Sequence, residues 1–329
     1  MTIDLGSTHL SLPVFLAPLA GITDLPFRNL VQSFGAGLVV SEMIASQEMV
    51  EAKYSVREKA ELGFGVENTS VQIAGRDPYW MSEAAKLIAD QGARVIDINM
   101  GCPAKKVVNG YSGSALMRDL NHALSLIEAV VSAVDVPVTL KTRLGWDDTL
   151  MNAPELAQRA EAAGIKLIVI HGRTRCQFYK GHADWATINR VKQSVSIPVI
   201  ANGDIVSSDH AHRAMAQSGA DGVMVGRGAQ GRPWAIAEIA HSLTGSPMPL
   251  IPKGADLVDM IAGHYDAILG FYGTTLGVRV ARKHLGWYMD EAGTERQMRR
   301  AILTAHDPQD VFDRLPDAIL QEVACCMLH

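Results

Sequence analysis

The sequence predicts an α/β protein, built as a (β/α)8 barrel followed by an all-helical C-terminal domain. Two observations lead to this prediction. Eight short runs rich in β-branched residues alternate with helical patterns along the first 230 residues, as in a closed parallel barrel. Residues 254–329 contain no convincing strand and show helical spacing. We therefore predict a catalytic barrel domain at residues 1–245 and a helical domain at residues 246–329.

The strands are predicted from short apolar runs. The runs at 95–98 and 167–170 lack strict alternation, which is typical of parallel strands buried on both faces. A doubly wound sheet is the alternative, but eight units favour closure. The predicted strands span residues 14–17, 38–41, 71–74, 95–98, 138–141, 167–170, 199–201 and 222–225.

Helix boundaries are indicated by capping residues. Pro154 suits the first turn of a helix that ends at Gly164, and Ser207 or Ser208 can cap a helix that closes at Gly219. Residues 245–252 contain three prolines and predict a linker. Beyond it, apolar residues recur at helical spacing, as in Leu257, Ile261, His264, Tyr265 and Ile268.

Composition excludes several classes of protein. The net charge of −5 has the wrong sign for a protein that coats nucleic acid non-specifically, so an RNA partner needs a local basic surface. No apolar run approaches the roughly 20 residues of a membrane span, and the N-terminus lacks the pattern of a secretory signal. We expect a cytoplasmic protein without a membrane partner.

The spacing of the four cysteines argues against structural zinc and a disulfide framework, and Cys176, Cys325 and Cys326 are predicted to be reduced thiols.

Polar or glycine residues stand at most predicted strand ends, which converge on one face of a barrel. Gly203 and Gly226 permit close backbone approach, and Arg227 adds a positive charge of fork geometry. The loops after strands seven and eight therefore predict a phosphate-containing cofactor at the barrel mouth. The strand-end residues are Pro18, Ala20, Glu42, Gln72, Asn99, Cys102, Lys141, Arg143, His171, Asn202, Asp204, Gly226 and Arg227.

Three of these residues have alternative interpretations. Cys102 lies on a Gly/Pro-shaped turn and can be a nucleophile, a proton donor or an inert thiol, although no His-Asp relay is visible for it. Lys141 needs an anionic or polar partner, either the N1/C2 carbonyl region of a flavin or a carboxylate such as Glu42. His171 is either a structural residue or a ligand-binding one, and we see no further ligands for a metal.

The turn carries the pattern N-x-G-C-P-x-x-K in Asn99, Gly101, Cys102, Pro103 and Lys106. This pattern resembles the active-site loop of the tRNA-dihydrouridine synthases, and the resemblance extends over nearly the whole chain. Leu19 stands where many relatives have Met, a change of similar volume. The other matching segments are Ala17 to Asp24, Pro26 to Arg28, Ser41 to Met43, Val71 to Gly75, Lys141 to Arg143, His171 to Thr174, Asn202 to Asp204, and Gly226 with Arg227.

The resemblance implies a fold, a cofactor and a reaction. NADPH or NADH reduces FMN, and the flavin passes a hydride to C6 of a D-loop uridine in tRNA while Cys102 protonates C5. Asn99 and Arg143 are implied to orient the uracil, and Arg282 and Lys283 to contact tRNA phosphates. FMN is implied to bind Pro18, Leu19, Ala20, Gln72, Lys141, His171, Asn202, Gly203, Asp204, Gly226 and Arg227.

The segment Gly231-Arg232-Pro233-Trp234 resembles the B-type branch of the family, which suggests modification of tRNA position 17. We expect a monomer without a metal. One rival function is an FMN barrel acting on a small pyrimidine, as in dihydroorotate dehydrogenases, which have no need of a basic helical domain. The other is a non-catalytic RNA-binding protein, which predicts decay of the reactive loop.

Overall fold

The computed structural model describes residues 2–51 and 68–320. Within this part of the chain Cys102 and Cys176 are free thiols. The prediction for Cys325 and Cys326 lies outside the described residues.

Parallel strands form a closed barrel, as predicted. The barrel closes because strand β4 pairs with β3 on one side and with β6 on the other. All eight predicted strands are confirmed. The strands are β3 (Val14–Leu16), β4 (Leu38–Val40), β6 (Thr69–Ala74), β7 (Val95–Asn99), β8 (Val138–Arg143), β9 (Leu167–His171), β10 (Val199–Asn202) and β11 (Gly222–Val225), with a short hairpin of β1 (Ile3–Asp4) and β2 (His9–Leu10) before them and β5 (Ile44–Ala45) paired to β6.

Helices follow the barrel strands and cover the outer face of the barrel. Nearly every residue of the eight strands is buried, because side chains on one face fill the barrel and those on the other pack under the helices. The helices of this part are α1 (Leu25–Phe34), α2 (Ser46–Val50), α3 (Pro78–Asp90), α4 (Lys105–Asn109), α5 (Leu120–Val131), α6 (Ala153–Ala162), α7 (Trp185–Lys192), α8 (Ser208–Ser218) and α9 (Ala235–Thr244), with 3₁₀ turns at Gly113–Arg118 and Arg227–Ala229.

The predicted capping residues have the expected geometry. The Ser207 side chain accepts a hydrogen bond from the His210 N–H at the start of α8, and Gly219 ends that helix at φ 64°. Pro154 lies in the first turn of α6, which ends at Ala162, two residues before Gly164.

The chain divides into two compact units. The first comprises Met1–Gly228 and Ala235–Met248, and the second comprises Ala229–Trp234 and Pro249–His329. The predicted boundary at 245/246 lies three residues before the observed change at Met248, and the sequence did not predict that Ala229–Trp234 belongs to the second unit.

The second unit has the predicted helical content. Its core includes Ile261, Tyr265 and Ile268, which the helical spacing singled out. Among the described residues no helix is both long and apolar enough to cross a membrane. The helices are α10 (Ala255–Tyr272), α11 (Thr274–Ala292), α12 (Arg296–Thr304) and α13 (Pro308–Ile319).

Candidate active site

The thiol loop, residues 100–104, follows β7 and is bonded from both sides. The Asn99 side-chain oxygen accepts hydrogen bonds from the backbone N–H groups of Gly101 (3.2 Å) and Cys102 (3.0 Å). Arg143 Nε donates to the Gly101 carbonyl at 2.7 Å, and Ser114 donates through its N–H and its hydroxyl to the Cys102 carbonyl. The loop backbone is therefore fixed, while Cys102 itself is partly exposed.

A side chain at position 113 would disturb this loop. Gly113 has φ +59°, and a Cβ there would lie 2.8 Å from the Cys102 carbonyl oxygen. Glycine therefore allows the backbone to approach the thiol loop closely.

A chain of polar side chains runs through the barrel interior to the thiol loop. Thr139 Oγ1 and Gln72 Nε2 each donate to the carboxylate of Asp97 at 2.6 Å. Gln72 Oε1 in turn accepts from Asn99 Nδ2 at 2.7 Å. Burial raises the pKa of the Asp97 carboxyl, against the lowering effects of the bonds from Gln72 and Thr139.

Lys141 is a buried cation with a polar partner. Its Nζ donates to Asn202 Oδ1 at 3.0 Å. The alternative pairing with Glu42 is not present, since Glu42 accepts instead from the N–H of Gly21. Burial and the neighbouring Arg143 charge lower the pKa of Lys141 to about 8, although Asp97 and Cys102 act in the opposite direction.

Arg143 is almost completely enclosed and is occupied by backbone carbonyls. Besides Gly101, its guanidinium donates to the carbonyls of Thr174 (3.0 Å) and Phe178 (2.9 Å). Burial is the main cause that lowers the pKa of Arg143, to about 10. This arginine therefore joins the thiol loop to the loop after β9.

His171 lies at the end of β9 among four cations. Burial, followed by the charges of Arg143, Lys141, Arg173 and Arg227, lowers the pKa of His171 well below its usual value. The ring is therefore neutral at pH 7 and can accept or donate a hydrogen bond. The cations leave this side of the barrel mouth suited to an anionic group.

Asp204 holds two of the arginines together. Its carboxylate accepts from Arg173 (2.6 Å), Arg227 (3.1 Å) and the N–H of Ala183 (2.8 Å). Burial alone would raise the pKa of Asp204, but the bonds from Arg173 and Ala183 and the two arginine charges hold it below its usual range. Any contribution of Asp204 to anion binding therefore acts through the arginines.

The loop after β10 and the loop after β3 are both tightly built. Gly203 has φ +111°, and a Cβ there would lie 2.8 Å from the Ala183 Cβ and 2.9 Å from the His171 ring. In the loop after β3, the Leu19 N–H and carbonyl are both bonded to Thr23. Pro18 and Leu19 are half-buried, and Ala20 is exposed. A Cβ added at Gly226 would make only an ordinary van der Waals contact with Leu19.

The two residues predicted to contact tRNA lie on α11 in the second unit. Arg282 is half-buried and donates to the Ala305 carbonyl at 3.3 Å. Lys283 is also half-buried. Arg279 and Arg300, on the same unit, are exposed.

Sequence reasoning missed three residues at the site. Arg173 is buried and pairs with Asp204, and Asp97 anchors the interior chain of polar side chains. Tyr179 is half exposed, with its ring centroid 5.5 Å from the Arg143 guanidinium and 6.0 Å from that of Arg227. A lone carboxylate within the apolar run 95–98 was the one available signal for Asp97.

Residues 2–51 and 68–320 contain no group of three or more His, Cys, Asp or Glu side chains arranged to hold a metal ion. What they contain at the barrel mouth is a set of cations beside a partly exposed thiol. The fold and this site together define the chain as a (β/α)8-barrel protein of the enzyme type, whose mouth carries a cluster of positive charges.

Comparison with known sequences identifies the family. The family described as "Dihydrouridine synthase (Dus)" matches residues 15–324, and the chain belongs to this family. The resemblance predicted from the sequence motifs is thus confirmed. The chain is 62% identical to a probable tRNA-dihydrouridine synthase of Rhodobacter capsulatus, over 94% of this chain and 95% of that protein. It is 46% identical to tRNA-dihydrouridine synthase B of Xanthomonas campestris, over 94% of this chain and 96% of that protein.

Solved structures share the barrel fold. Histamine dehydrogenase from Rhizobium sp. 4-9 superposes with a TM-score of 0.56 at 14% identity, over 80% of this chain and 50% of that chain. A 2-naphthoyl-CoA reductase superposes with a TM-score of 0.59 at 13% identity, over 72% of this chain and 51% of that one. The chain therefore spans about half the length of these two proteins, and the likeness is one of fold.

Proposed function

We propose that this protein is an FMN-dependent tRNA-dihydrouridine synthase, which uses NADPH or NADH to reduce the C5=C6 bond of a D-loop uridine to 5,6-dihydrouridine. One observation carries the proposal: the mouth of a barrel from this family places a fixed loop with a partly exposed thiol beside four cations, of which Lys141, Arg143 and Arg173 are buried. The thiol suits proton donation, and the cations suit an anionic cofactor.

The residues present fit FMN. Arg227 lies after β11, is held by Asp204 and is largely exposed, so it supplies a guanidinium group for a phosphate. Arg173 is buried and bonded to Asp204 and to the carbonyls of Lys180 and Gly181, so it contributes positive charge without direct contact. Gly203 has no side chain, so a ligand can approach the backbone beside His171 closely. Lys141 offers a buried cation to the ring system, and neutral His171 offers a hydrogen bond. When bound, FMN supplies the hydride for C6 of the uracil.

Not all predicted FMN contacts fit as direct contacts. Both ends of the Gln72 amide are bonded within the protein, and its side chain is completely buried. The carboxylate of Asp204 would repel a phosphate, so we assign it to positioning Arg173 and Arg227. The Asn202 amide is likewise bonded at both ends, to Lys141 and to the Met224 carbonyl, so we assign it to positioning Lys141. The proposed binding set keeps Pro18, Leu19, Ala20, Lys141, His171, Gly203, Gly226 and Arg227.

The chain's own residues handle the proton and the developing charge. Addition of hydride at C6 places negative charge on C5 and the C4 carbonyl, and the Cys102 thiol delivers its proton to C5. Asn99 and Arg143 hold the thiol loop at Gly101. The positive charges of Lys141 and Arg143 near Cys102 stabilise the negative charge that develops as the hydride arrives.

The macromolecular substrate distinguishes this proposal from a barrel enzyme for free pyrimidines. A uridine held in folded tRNA must be extruded into the barrel mouth while the protein binds the RNA elsewhere. We propose the helical unit, with Arg282 and Lys283, for phosphate contacts. We propose position 17 as the target, as the resemblance of Gly231-Arg232-Pro233-Trp234 to the B-type branch implies, and we propose a monomer.

The test is product formation by the purified protein. We expect the purified protein to show a flavin absorbance spectrum. When it is incubated with NADPH and with tRNA prepared from cells that lack this gene, we expect it to form dihydrouridine, which mass spectrometry maps. The proposal fails if the flavin-loaded protein reduces free uridine or orotate but leaves this tRNA unmodified. It also fails if the purified protein neither carries flavin nor accepts FMN.

A further inference from the structure

The four side chains Thr139, Asp97, Gln72 and Asn99 form a continuous relay of hydrogen bonds, here called the amide relay. It begins at a hydroxyl on β8, crosses to the carboxylate on β7 and the amide on β6, and returns to the amide of Asn99 at the end of β7. It ends on the backbone N–H groups of Gly101 and Cys102.

The relay has a fixed direction. An amide side chain donates through its nitrogen and accepts through its oxygen. The orientation of two amides in series is therefore fixed when an acceptor lies at one end of the pair and donors lie at the other. Asp97 presents an acceptor to Gln72 Nε2, and this directs Gln72 Oε1 to Asn99 Nδ2. Asn99 then presents its oxygen to the two backbone donors of the thiol loop.

We infer that Asp97 is a positioning residue for Cys102, because as the acceptor at the head of the amide relay it fixes the orientation of Gln72 and Asn99. Asp97 and Gln72 are almost completely buried, with exposures of 3% and 0%, so water does not substitute readily for a missing partner. A change at Asp97 then loosens a loop two side chains away, without contact with the thiol.

If this inference holds, the relay needs a hydrogen-bond acceptor at position 97 but does not need a negative charge there. The Thr139 hydroxyl both donates and accepts. An asparagine at 97 can therefore accept from Gln72 through its oxygen and donate to Thr139 through its nitrogen. Leucine has a similar volume but no acceptor. The alternative role for Asp97 is a counter-charge for Lys141, which the Asp97 charge affects, and that role is lost equally in both variants.

Three variants separate these roles: D97L, D97N and, as a matched control, T139V, which removes only the donor on the far side of Asp97. The readouts are hydrogen exchange of the Gly101 and Cys102 amides, resolved by mass spectrometry, and the rate of Cys102 alkylation by iodoacetamide. We expect both rates to rise about tenfold in D97L, as for the loss of one hydrogen bond, and to stay within about twofold of the parent in D97N and T139V.

Two results overturn the inference. The first is that D97L keeps the parental exchange rates at Gly101 and Cys102. The second is that D97N raises exchange and alkylation as much as D97L does, which would mean that Asp97 acts through its charge. If D97L does not fold, Q72M interrupts the relay at its middle while keeping Asp97, and parental exchange in Q72M overturns the inference as well.

The catalytic consequence rests on the proposed role of Cys102. We expect D97L to slow dihydrouridine formation more than D97N does, because both variants lose the charge beside Lys141 and only D97L loses the acceptor of the relay. Amide exchange reports on the relay whatever the reaction is, so failure of the relay and failure of the proposed function give different results.

Discussion

Replacement of Lys141 by Met should stabilise the cofactor-free protein at pH 7 and lose this advantage at alkaline pH. The buried ammonium is destabilising, because its pKa is lowered from 10.5 to about 8, with burial as the main cause. At about 1.4 kcal/mol for each tenfold change in proton affinity, the charged Lys141 costs about 3 kcal/mol below pH 8.

The cost depends on pH in a defined direction. Between pH 8 and 10.5, the unfolded lysine holds its proton while the folded one has lost it, so the stability of the parent rises across this window. At pH 10 the remaining cost is about 1 kcal/mol. Met also leaves Asn202 Oδ1 without its donor, a penalty of about 1–2 kcal/mol at any pH.

The assay is urea unfolding of both proteins, freed of cofactor, at pH 7 and pH 10. We expect K141M to be more stable than the parent by about 1–2 kcal/mol at pH 7, and equal or less stable at pH 10. K192M, which removes a partly exposed lysine paired with Asp221 at 2.7 Å, controls for loss of a lysine elsewhere. A difference between K141M and the parent that does not change with pH would refute the reasoning.

Three further predictions follow from the site. G203A should lower the free energy of unfolding by about 3 kcal/mol, since the backbone at φ +111° disfavours a side chain and the new Cβ would meet Ala183 and His171; an unchanged urea midpoint contradicts this. D204N should weaken FMN binding roughly tenfold, because it removes the charged partner that holds Arg227 in place; flavin titration followed by fluorescence measures it, and unchanged affinity removes Asp204 from the positioning role. R282A and K283A should each reduce the slope of log affinity for tRNA against log salt by about 1, while NADPH-driven flavin reduction is unchanged; parental slopes exclude these two residues from phosphate contact.

The fold was predictable because its signals are local. The apolar runs 95–98 and 167–170 form buried strands. Ser207 caps the start of a helix and Gly219 ends it, as their residue types indicate. The assignment of Ala229–Trp234 to the helical unit was not predictable, since no local pattern in that segment reports on distant packing.

The contacts within the site were harder to predict than its members. Strand ends brought Lys141, His171 and Asp204 to one face, as expected for a barrel. Their partners depend on strand register and side-chain reach, so Lys141 bonds to Asn202 instead of Glu42, and Asp204 is occupied by arginines. The relay through Asp97 required three strands in register, which one sequence does not reveal.

The central claim is that Cys102 donates the proton to C5 of the uracil, and single-turnover kinetics of C102A test it most directly. The variant is loaded with FMN, reduced with NADPH and mixed with unmodified tRNA, and C176A, which lacks the exposed thiol after β9, serves as the control. We predict parental flavin reduction in both variants, with dihydrouridine formed by C176A and absent from C102A on the same timescale. A parental yield and rate of dihydrouridine in C102A would contradict the assignment of the proton to this thiol.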